Sequence, residues 1–428
     1  MATAKTRRPR LNKKAFFEDM GYEPHPGQLE LHSSTAPRRV VACGVRWGKT
    51  VAAAMEGLAA AMEPGERRVG WVAAPTYDLA DRVFREIQVL ALEHLRHHIV
   101  AMKEGERRLI LRNMGGGVSE IRAKSADNPV SLLGEGLDFL IVDEAARLKP
   151  VIWQSHLSQR LIDKQGWALL ISTPKGKGYF HDLFRRGQGR DEGWRSWNYP
   201  SWTNPILDRD LIEAERARLP NRVFDQEYGA KFVEGAGQVF RNVRECAVTP
   251  YWEPPYPNHR YYAGLDLAKT EDYTVLVIMD SDAIVVHVDR FHRIDWAQQV
   301  NRIKTALDRY GDASVFVDST GKGEPVYESL RRADVEAEAY PFTQKSKAAL
   351  VDNLALLLEQ KKIELPTAEL WPEGIDELES FQYSVTDAGN VRAAAPGGQH
   401  DDCVIATALA AWHFRPKPSY KVWEMKVW

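Results

Sequence analysis

Cysteine is scarce in this chain: Cys43, Cys246 and Cys403 are all there is in 428 residues. Their odd number, wide separation and lack of any Cys-x-x-Cys spacing argue against a disulfide framework or a zinc site and suit a reducing compartment. No apolar run is long enough to span a bilayer, and no signal-type apolar core follows the basic N-terminus. A soluble intracellular protein without a membrane partner is therefore expected. An excess of one charge is also missing. With 57 Lys and Arg against 59 Asp and Glu, the formal net charge is −2, so contact with nucleic acid must come from local basic patches. One such patch is the arm within residues 1–20 that holds Lys5, Arg7, Arg8, Arg10, Lys13 and Lys14; it suits DNA phosphates and a solvated tail equally well. What the chain does have is length and apolar content, 428 residues at 44% hydrophobic, enough for two packed domains.

The most informative stretch is Val41 to Thr50. A β-prone run, Arg39-Val40-Val41-Ala42, feeds a turn ending in Gly48-Lys49-Thr50, and Val51 to Met55 reads as a helix. This is a phosphate cradle: backbone N–H groups face the anion, Lys49 brings a mobile positive charge, and the Thr50 hydroxyl suits Mg²⁺. Cys43 stands where the usual pattern has glycine, so Gly44 is expected to supply the turn's flexibility. Upstream, the amide of Gln28 offers a donor and an acceptor to an adenine edge, although on its residues alone it better suits the surface of a helix starting after Pro26.

Downstream, Val69 to Ala74 is an apolar strand stopped by Pro75, and the stretch from Tyr77 to about His98 has helical spacing. Strands at 109–111 and 119–122 complete a pattern that predicts a mostly parallel α/β sheet, with ligands at the carboxyl ends of its strands. The apolar strand Phe139 to Val142 delivers Asp143-Glu144. Asp143 is suited to hold Mg²⁺ and Glu144 to polarise the water that attacks a γ-phosphate, and the adjacency is costly without a cation. The next strand, Trp167 to Ile171, ends in Ser172-Thr173-Pro174, hydroxyls placed to sense that phosphate and relay its presence.

Through these three motifs the chain resembles the large terminase subunit of tailed bacteriophages, the motor that packages double-stranded DNA. The resemblance implies a P-loop ATPase with a lid over residues 21–235, using ATP and Mg²⁺, with Gln28, Gly44, Arg46, Gly48, Lys49, Thr50 and Asp143 at the nucleotide, Lys49 and Glu144 catalytic, and Ser172 and Thr173 coupling hydrolysis to movement. Asn204-Pro205 and the charged helix after it fall where such a lid lies. Two departures stand out: the family's loop arginine is here Val45, and the residue before Gly134, often an arginine finger, is Leu133. Arg46 and Arg122 are the candidates to complete the γ-phosphate site.

Residues 236–258, rich in proline around Trp252 to Pro257, read as a linker. Beyond it, over 259–415, an apolar strand ends at Asp266, a two-strand meander turns at Asp280-Ser281-Asp282, a helix runs from Trp296 to Arg309, a second strand ends at Asp318, and Asp401-Asp402 opens an Ala-rich helix. Singly, these acids suit a strand-end turn or a helix cap. Their order resembles the RNase H-like nuclease fold, a mixed α/β domain in which converging carboxylates hold a divalent pair, Mg²⁺ or Mn²⁺, that cuts a phosphodiester. Asp266, Asp318 and Asp402 are the expected metal ligands and catalytic acids, with Asp401 and His400 beside Asp402. Asp272 is left as a turn residue. Lys345, Lys347, Lys361 and Lys362 suit a solvated helix face better than a DNA path.

The resemblance further implies a small terminase subunit, a portal and procapsid as partners, a homo-oligomeric ring of five on the portal, a monomer when free, and the bacterial host cytoplasm as location. The tail from 416 to 428 suits docking or disorder. Two alternatives remain at this stage, a helicase or translocase that does not cut and a structural assembly protein with a vestigial nucleotide site.

Overall fold

The computed structural model describes residues 11–189, 191–233, 237–257, 259–267, 273–311, 313–318, 324–385, 391–396 and 400–415. Of the features above, Lys5, Arg7, Arg8, Arg10, residues 234–236, Asp272 and the tail from 416 lie outside them. The chain divides into two units, 1–215 with 222–234, and 216–221 with 235–428.

Side-chain alternation organises the first unit. Eight strands, β1 (Arg38–Cys43), β2 (Arg67–Ala74), β3 (Ile99–Lys103), β4 (Arg108–Arg112), β5 (Val118–Ser125), β6 (Phe139–Val142), β7 (Trp167–Ser172) and β8 (Trp194–Tyr199), form one sheet in the order β3-β4-β5-β2-β6-β7-β1-β8. Neighbours from β5 to β8 run parallel, and the β3-β4 edge is antiparallel. Successive side chains point to opposite faces. Val41, Cys43, Val72, Ile141 and Ile171 therefore enter the core under helices α1 (Lys13–Asp19), α2 (Pro26–Ser33), α3 (Lys49–Met62) and α4 (Tyr77–His94), while Val40, Ala42, Trp71, Val142 and Leu170 enter the core covered by α5 (Tyr179–Gln188). Helices α6 (Arg209–Arg216) and α7 (Asn221–Glu227) follow the last strand. Among the described residues no helix is long and apolar enough to cross a membrane.

One ion cluster ties α1, α2 and β1 to α3. The fully buried Glu56 carboxylate meets Lys13 Nζ at 2.7 Å, His32 Nδ1 at 2.8 Å and Arg39 Nη1 at 2.6 Å. Burial alone would raise the Glu56 carboxyl, but Arg39, His32 and Lys13 outweigh it and hold the group well below its ordinary range. Burial lowers the pKa of His32 from 6.5. Both shifts make the unfolded chain the stronger proton binder, so stability is lost as pH falls, first below about 6.5 through His32 and then below the ordinary carboxylate value through Glu56. Removing one partner of a buried pair strands the others, and Glu56→Gln is expected to cost about 3–5 kcal/mol by urea unfolding at pH 7.5.

In the second unit the main sheet runs β13-β12-β11-β14-β15, built from β11 (Tyr261–Asp266), β12 (Thr274–Asp280), β13 (Val285–Phe291), β14 (Ser314–Asp318) and β15 (Ala337–Tyr340). The first three strands in sequence are antiparallel and β11, β14 and β15 are parallel. One face is covered by α9 (Trp296–Arg309) and α10 (Glu324–Arg332), the other by α11 (Gln344–Glu359) and α13 (Asp402–Ala411), with α8 (Val243–Cys246) and α12 (Pro372–Ser380) packed beyond. The Asp280 side chain holds the meander's turn, its Oδ1 accepting from the Asp282 and Ile284 N–H groups at 2.9 Å each.

The expected linker is largely built into this unit. Strand β9 (Gly237–Gln238) pairs with β17 (Gln382–Val385), itself paired with β18 (Val391–Ala394), and β10 (Ala247–Thr249) pairs with β16 (Leu365–Pro366). Val239, Phe240, Val243 and Cys246 are buried in the second core. Those apolar side chains anchor the segment before the proline-rich stretch begins, which is why residues 237–249 do not behave as a linker.

Candidate active sites

Strand order sets the first site. β7 lies between β6 and β1, so Ser172 and Thr173 at its carboxyl end stand between the acids that follow β6 and the loop that follows β1. Strands two apart are about 10 Å apart, and side chains close that gap: Lys49 Nζ lies 3.5 Å from Glu144 Oε1. Glu144 adopts a left-handed backbone, φ 48°, a conformation costing a non-glycine residue about 1–3 kcal/mol. Asp143 Oδ1 accepts the Glu144 N–H at 2.9 Å and fixes it there. Both acids are buried. Burial and then Glu144 push the Asp143 carboxyl up to about 6. Burial works against the Lys49 ammonium, but Cys43, Glu144 and Asp143 outweigh it and raise its pKa. A buried carboxylate pair with one ammonium is a site that a divalent cation would relieve, and Asp143, with Thr50 on the first turn of α3, suits one.

The loop's odd residues have structural reasons. Cys43 is the last residue of β1, paired with Tyr199, so no glycine backbone is needed there; it is buried and its thiol is pushed up to about 12. Gly44 is glycine because of close approach rather than flexibility: a Cβ there would lie 2.3 Å from Ser201 Oγ and 2.5 Å from the Tyr228 carbonyl oxygen. The left-handed residues are Arg46 and Gly48, with φ 60° and 98°. Gln28 braces the loop, donating Nε2–H to the Gly48 carbonyl at 3.1 Å and accepting the His25 N–H at 3.1 Å. These two bonds use one amide hydrogen and one lone pair of Gln28.

A strap from beyond β8 grips the same loop. Val45 N–H donates to the Glu227 carbonyl at 2.7 Å, Ser201 Oγ donates to the Val45 carbonyl at 2.6 Å, and Asn204 Nδ2 donates to the Arg46 carbonyl at 3.0 Å. Trp47 stacks on Tyr199 with centroids 4.7 Å apart. Just after Ser172-Thr173-Pro174, Lys175 Nζ reaches Glu227 Oε1 at 2.6 Å. Ser201, Asn204 and Glu227 escaped the sequence reading because the side-chain contacts of Ser201 and Asn204 span more than 150 residues, and no local pattern encodes such a distance. Arg147 escaped it too. Three residues after Glu144, its Nε lies 3.6 Å from Glu144 Oε2, a spacing that does align side chains on one turn. Arg46 is exposed, and Arg122, on β5 two strands from β6, is ion-paired with Glu120 and Glu135.

In the second unit, register brings the acids together. Leu265 pairs with Val317 on parallel β11 and β14, so Asp266 and Asp318 follow side by side at the two carboxyl ends. Alternation puts Gly264 and Asp266 on one face with Phe316 and Asp318, the face covered by α13. Gly264 lets that helix approach, since a Cβ there would lie 2.1 Å from the Ala406 carbonyl oxygen. Asp402, the first residue of α13, is buried, and its Oδ2 accepts the Tyr273 N–H at 3.2 Å with His400 Nδ1 at 3.5 Å. Asp401 makes no side-chain cap; Glu377 Oε2 caps the helix instead, accepting the Cys403 N–H at 2.7 Å. Burial, then Asp402, Asp318 and Asp401, raise the Asp266 pKa well above the carboxylate range, with Lys347 opposing. Lys347 Nζ stands 3.1 Å from Asp401 Oδ2 and is half-buried beside the acids, while Lys345, Lys361 and Lys362 are exposed. Among the described residues no three His, Cys, Asp or Glu side chains stand close enough to hold an ion as they are. The all-oxygen donor set and its mutual repulsion fit a hard divalent cation that would draw the acids together.

Comparison with known proteins agrees with this division. Residues 41–245 match the family model described as terminase large subunit, T4likevirus-type, N-terminal, and residues 263–414 match the terminase RNaseH-like domain. The large terminase subunit of Thermus virus P23-45 is 35% identical over 95% of this chain and 90% of its own length, and that of Thermus phage G20c is 34% identical over the same shares. A solved large terminase from another thermophilic bacteriophage shares the fold, with a TM-score of 0.59 over 92% of this chain and all of its own, at 14% identity.

Proposed function

Because this chain belongs to the terminase large subunits, we propose that Lys49, Asp143 and Glu144 are its ATPase machinery and that Asp266, Asp318 and Asp402 are its nuclease. The chain is a DNA-packaging motor subunit with ATPase and metal-dependent nuclease activities, and it uses a nucleotide and divalent metal. The two alternatives, a translocase that does not cut and a vestigial assembly protein, fall away with that membership.

In the ATPase, Asp143 and Thr50 would hold Mg²⁺, and Gln28 would meet adenine with its second amide hydrogen. When bound, the metal would supply charge neutralisation at the phosphate oxygens. Lys49 turns its ammonium from Glu144 to the terminal phosphate, and Glu144, relieved of that partner, takes the proton of the attacking water on its carboxylate oxygen. Gly44, Arg46 and Gly48 shape the cradle, and Ser172 and Thr173 pass the state of the phosphate through Lys175 to Glu227. In the nuclease, Asp266, Asp318 and Asp402, with Asp401 beside them, would hold Mg²⁺ or Mn²⁺, which when bound would supply water activation and charge neutralisation at the leaving oxygen. Double-stranded DNA, a small subunit and a portal are the partners proposed, with a ring of five as the working form in the host cytoplasm.

The 3.5 Å approach of Lys49 to Glu144 across the strand gap is the observation that carries the ATPase assignment. Plasmid cleavage and ATP turnover measured side by side test the division of labour: Lys49→Ala is expected to lose turnover and keep cleavage, and Asp402→Ala to do the reverse. Loss of both activities in either variant would overturn it.

A further inference from the structure

We infer that Lys347 is a built-in counter-ion that weakens the grip of the nuclease carboxylates on divalent metal, an inference that rests on reading Asp266, Asp318 and Asp402 as the metal site. Lys347 sits in the first turn of α11, whose start is locked by a reciprocal cap: Thr343 Oγ1 accepts the Ser346 N–H at 3.0 Å and Ser346 Oγ accepts the Thr343 N–H at 2.7 Å. Tyr340 Oη donates to the Ser346 carbonyl at 2.9 Å and ties that turn to β15. These bonds fix the backbone from which the Lys347 side chain reaches the acids. Its ammonium is 3.1 Å from Asp401 Oδ2, with about 30% of each side chain exposed, and its charge reaches Asp266 as well.

Four carboxylates crowd the carboxyl ends of β11 and β14 and the start of α13, and without metal they repel one another. Lys347 offsets part of that repulsion in the metal-free chain. An incoming divalent ion then meets a site already partly neutralised, and the same ammonium repels it. For charges of +1 and +2 on the order of 6 Å apart, even water's dielectric gives roughly a tenfold weakening of affinity. A nuclease tuned in this way loads only when metal is plentiful, while the acids themselves are unchanged.

The test is Mn²⁺ titration of the full, nucleotide-free chain, reading free Mn²⁺ by electron paramagnetic resonance and thermal unfolding in parallel. Asp266→Asn identifies the nuclease-site component, because that component disappears in it. Lys347→Gln and Lys347→Met are expected to lower the Kd of this component roughly tenfold, to lower the metal-free melting temperature, and to enlarge the rise that Mn²⁺ produces. Lys347→Arg, which keeps the charge, is expected to stay within about twofold of wild type on both readouts. Unchanged or weaker Mn²⁺ binding in both neutral variants overturns the role of Lys347 alone; a wild-type protein without an Asp266-dependent component overturns the metal-site reading and this inference with it.

Discussion

Glu144→Gln is expected to lower ATP turnover roughly a thousand-fold, the scale of a lost general base. Glutamine keeps the shape and can still occupy the left-handed position that Asp143 fixes, so the change removes charge and proton affinity with little else. Nucleotide binding should persist or tighten, since the loop and Lys49 are untouched and Lys49 loses its competing partner at 3.5 Å. Fluorescent-nucleotide titration beside steady-state turnover separates the two effects. Turnover within a few-fold of wild type would show that another group takes the proton. Arg147, at 3.6 Å from the other Glu144 oxygen, would be the cation left beside the carboxylate when Lys49 turns away from it.

Asp266→Asn is expected to remove metal-dependent plasmid cleavage, again on the order of a thousand-fold or more given the several kcal/mol that a metal-activated water supplies, with ATP turnover intact. The same substitution should stabilise the metal-free protein. Burial and three neighbouring carboxylates raise the Asp266 pKa far above its ordinary value; such a group favours the folded state only while protonated, and stability is lost as pH rises from the unfolded pKa through the folded one. At pH 7.5, then, the wild-type chain in EDTA should melt below Asp266→Asn, and adding Mg²⁺ should close the gap. A variant that melts lower than wild type in EDTA would mean that the carboxylate holds the fold together instead of straining it. Stability surrendered at a reactive site is a recurrent trade.

The residues behind these two outcomes are unequally visible in the sequence. The strands were legible because buried parallel strands read as unbroken apolar runs, and Asp143, Glu144, Asp266 and Asp318 were legible because they stand at the ends of such runs. The boundaries of the helix Trp296–Arg309 were legible from its spacing, and its Asp295 cap is seen in the structure. Contacts made across long separations were not. Gly44 was assigned to flexibility when its neighbours Ser201 and Tyr228 are what demand a glycine. Cys43 looked like a defect in a loop it does not belong to. Lys347 looked like one cation on a wet helix face, because the sequence shows its spacing but not the acids opposite. Val239 to Cys246 were overlooked as core beside the prolines that follow them, although four apolar side chains outweigh a nearby change in composition.

The strap that grips the phosphate loop has a kinetic corollary. With the Gly44 N–H bonded to Tyr199, the Val45 N–H to Glu227 and the Ser201 N–H to Tyr228, none of these amides can meet solvent while its partner stays in place. Hydrogen exchange at residues 44, 45 and 201 should therefore report one shared opening reaction rather than three local ones, a small foldon made of pieces scattered along the chain. Occupancy of the loop by a ligand would be read out in the exchange rates of α7, and a weakened α7 would appear as faster ligand escape.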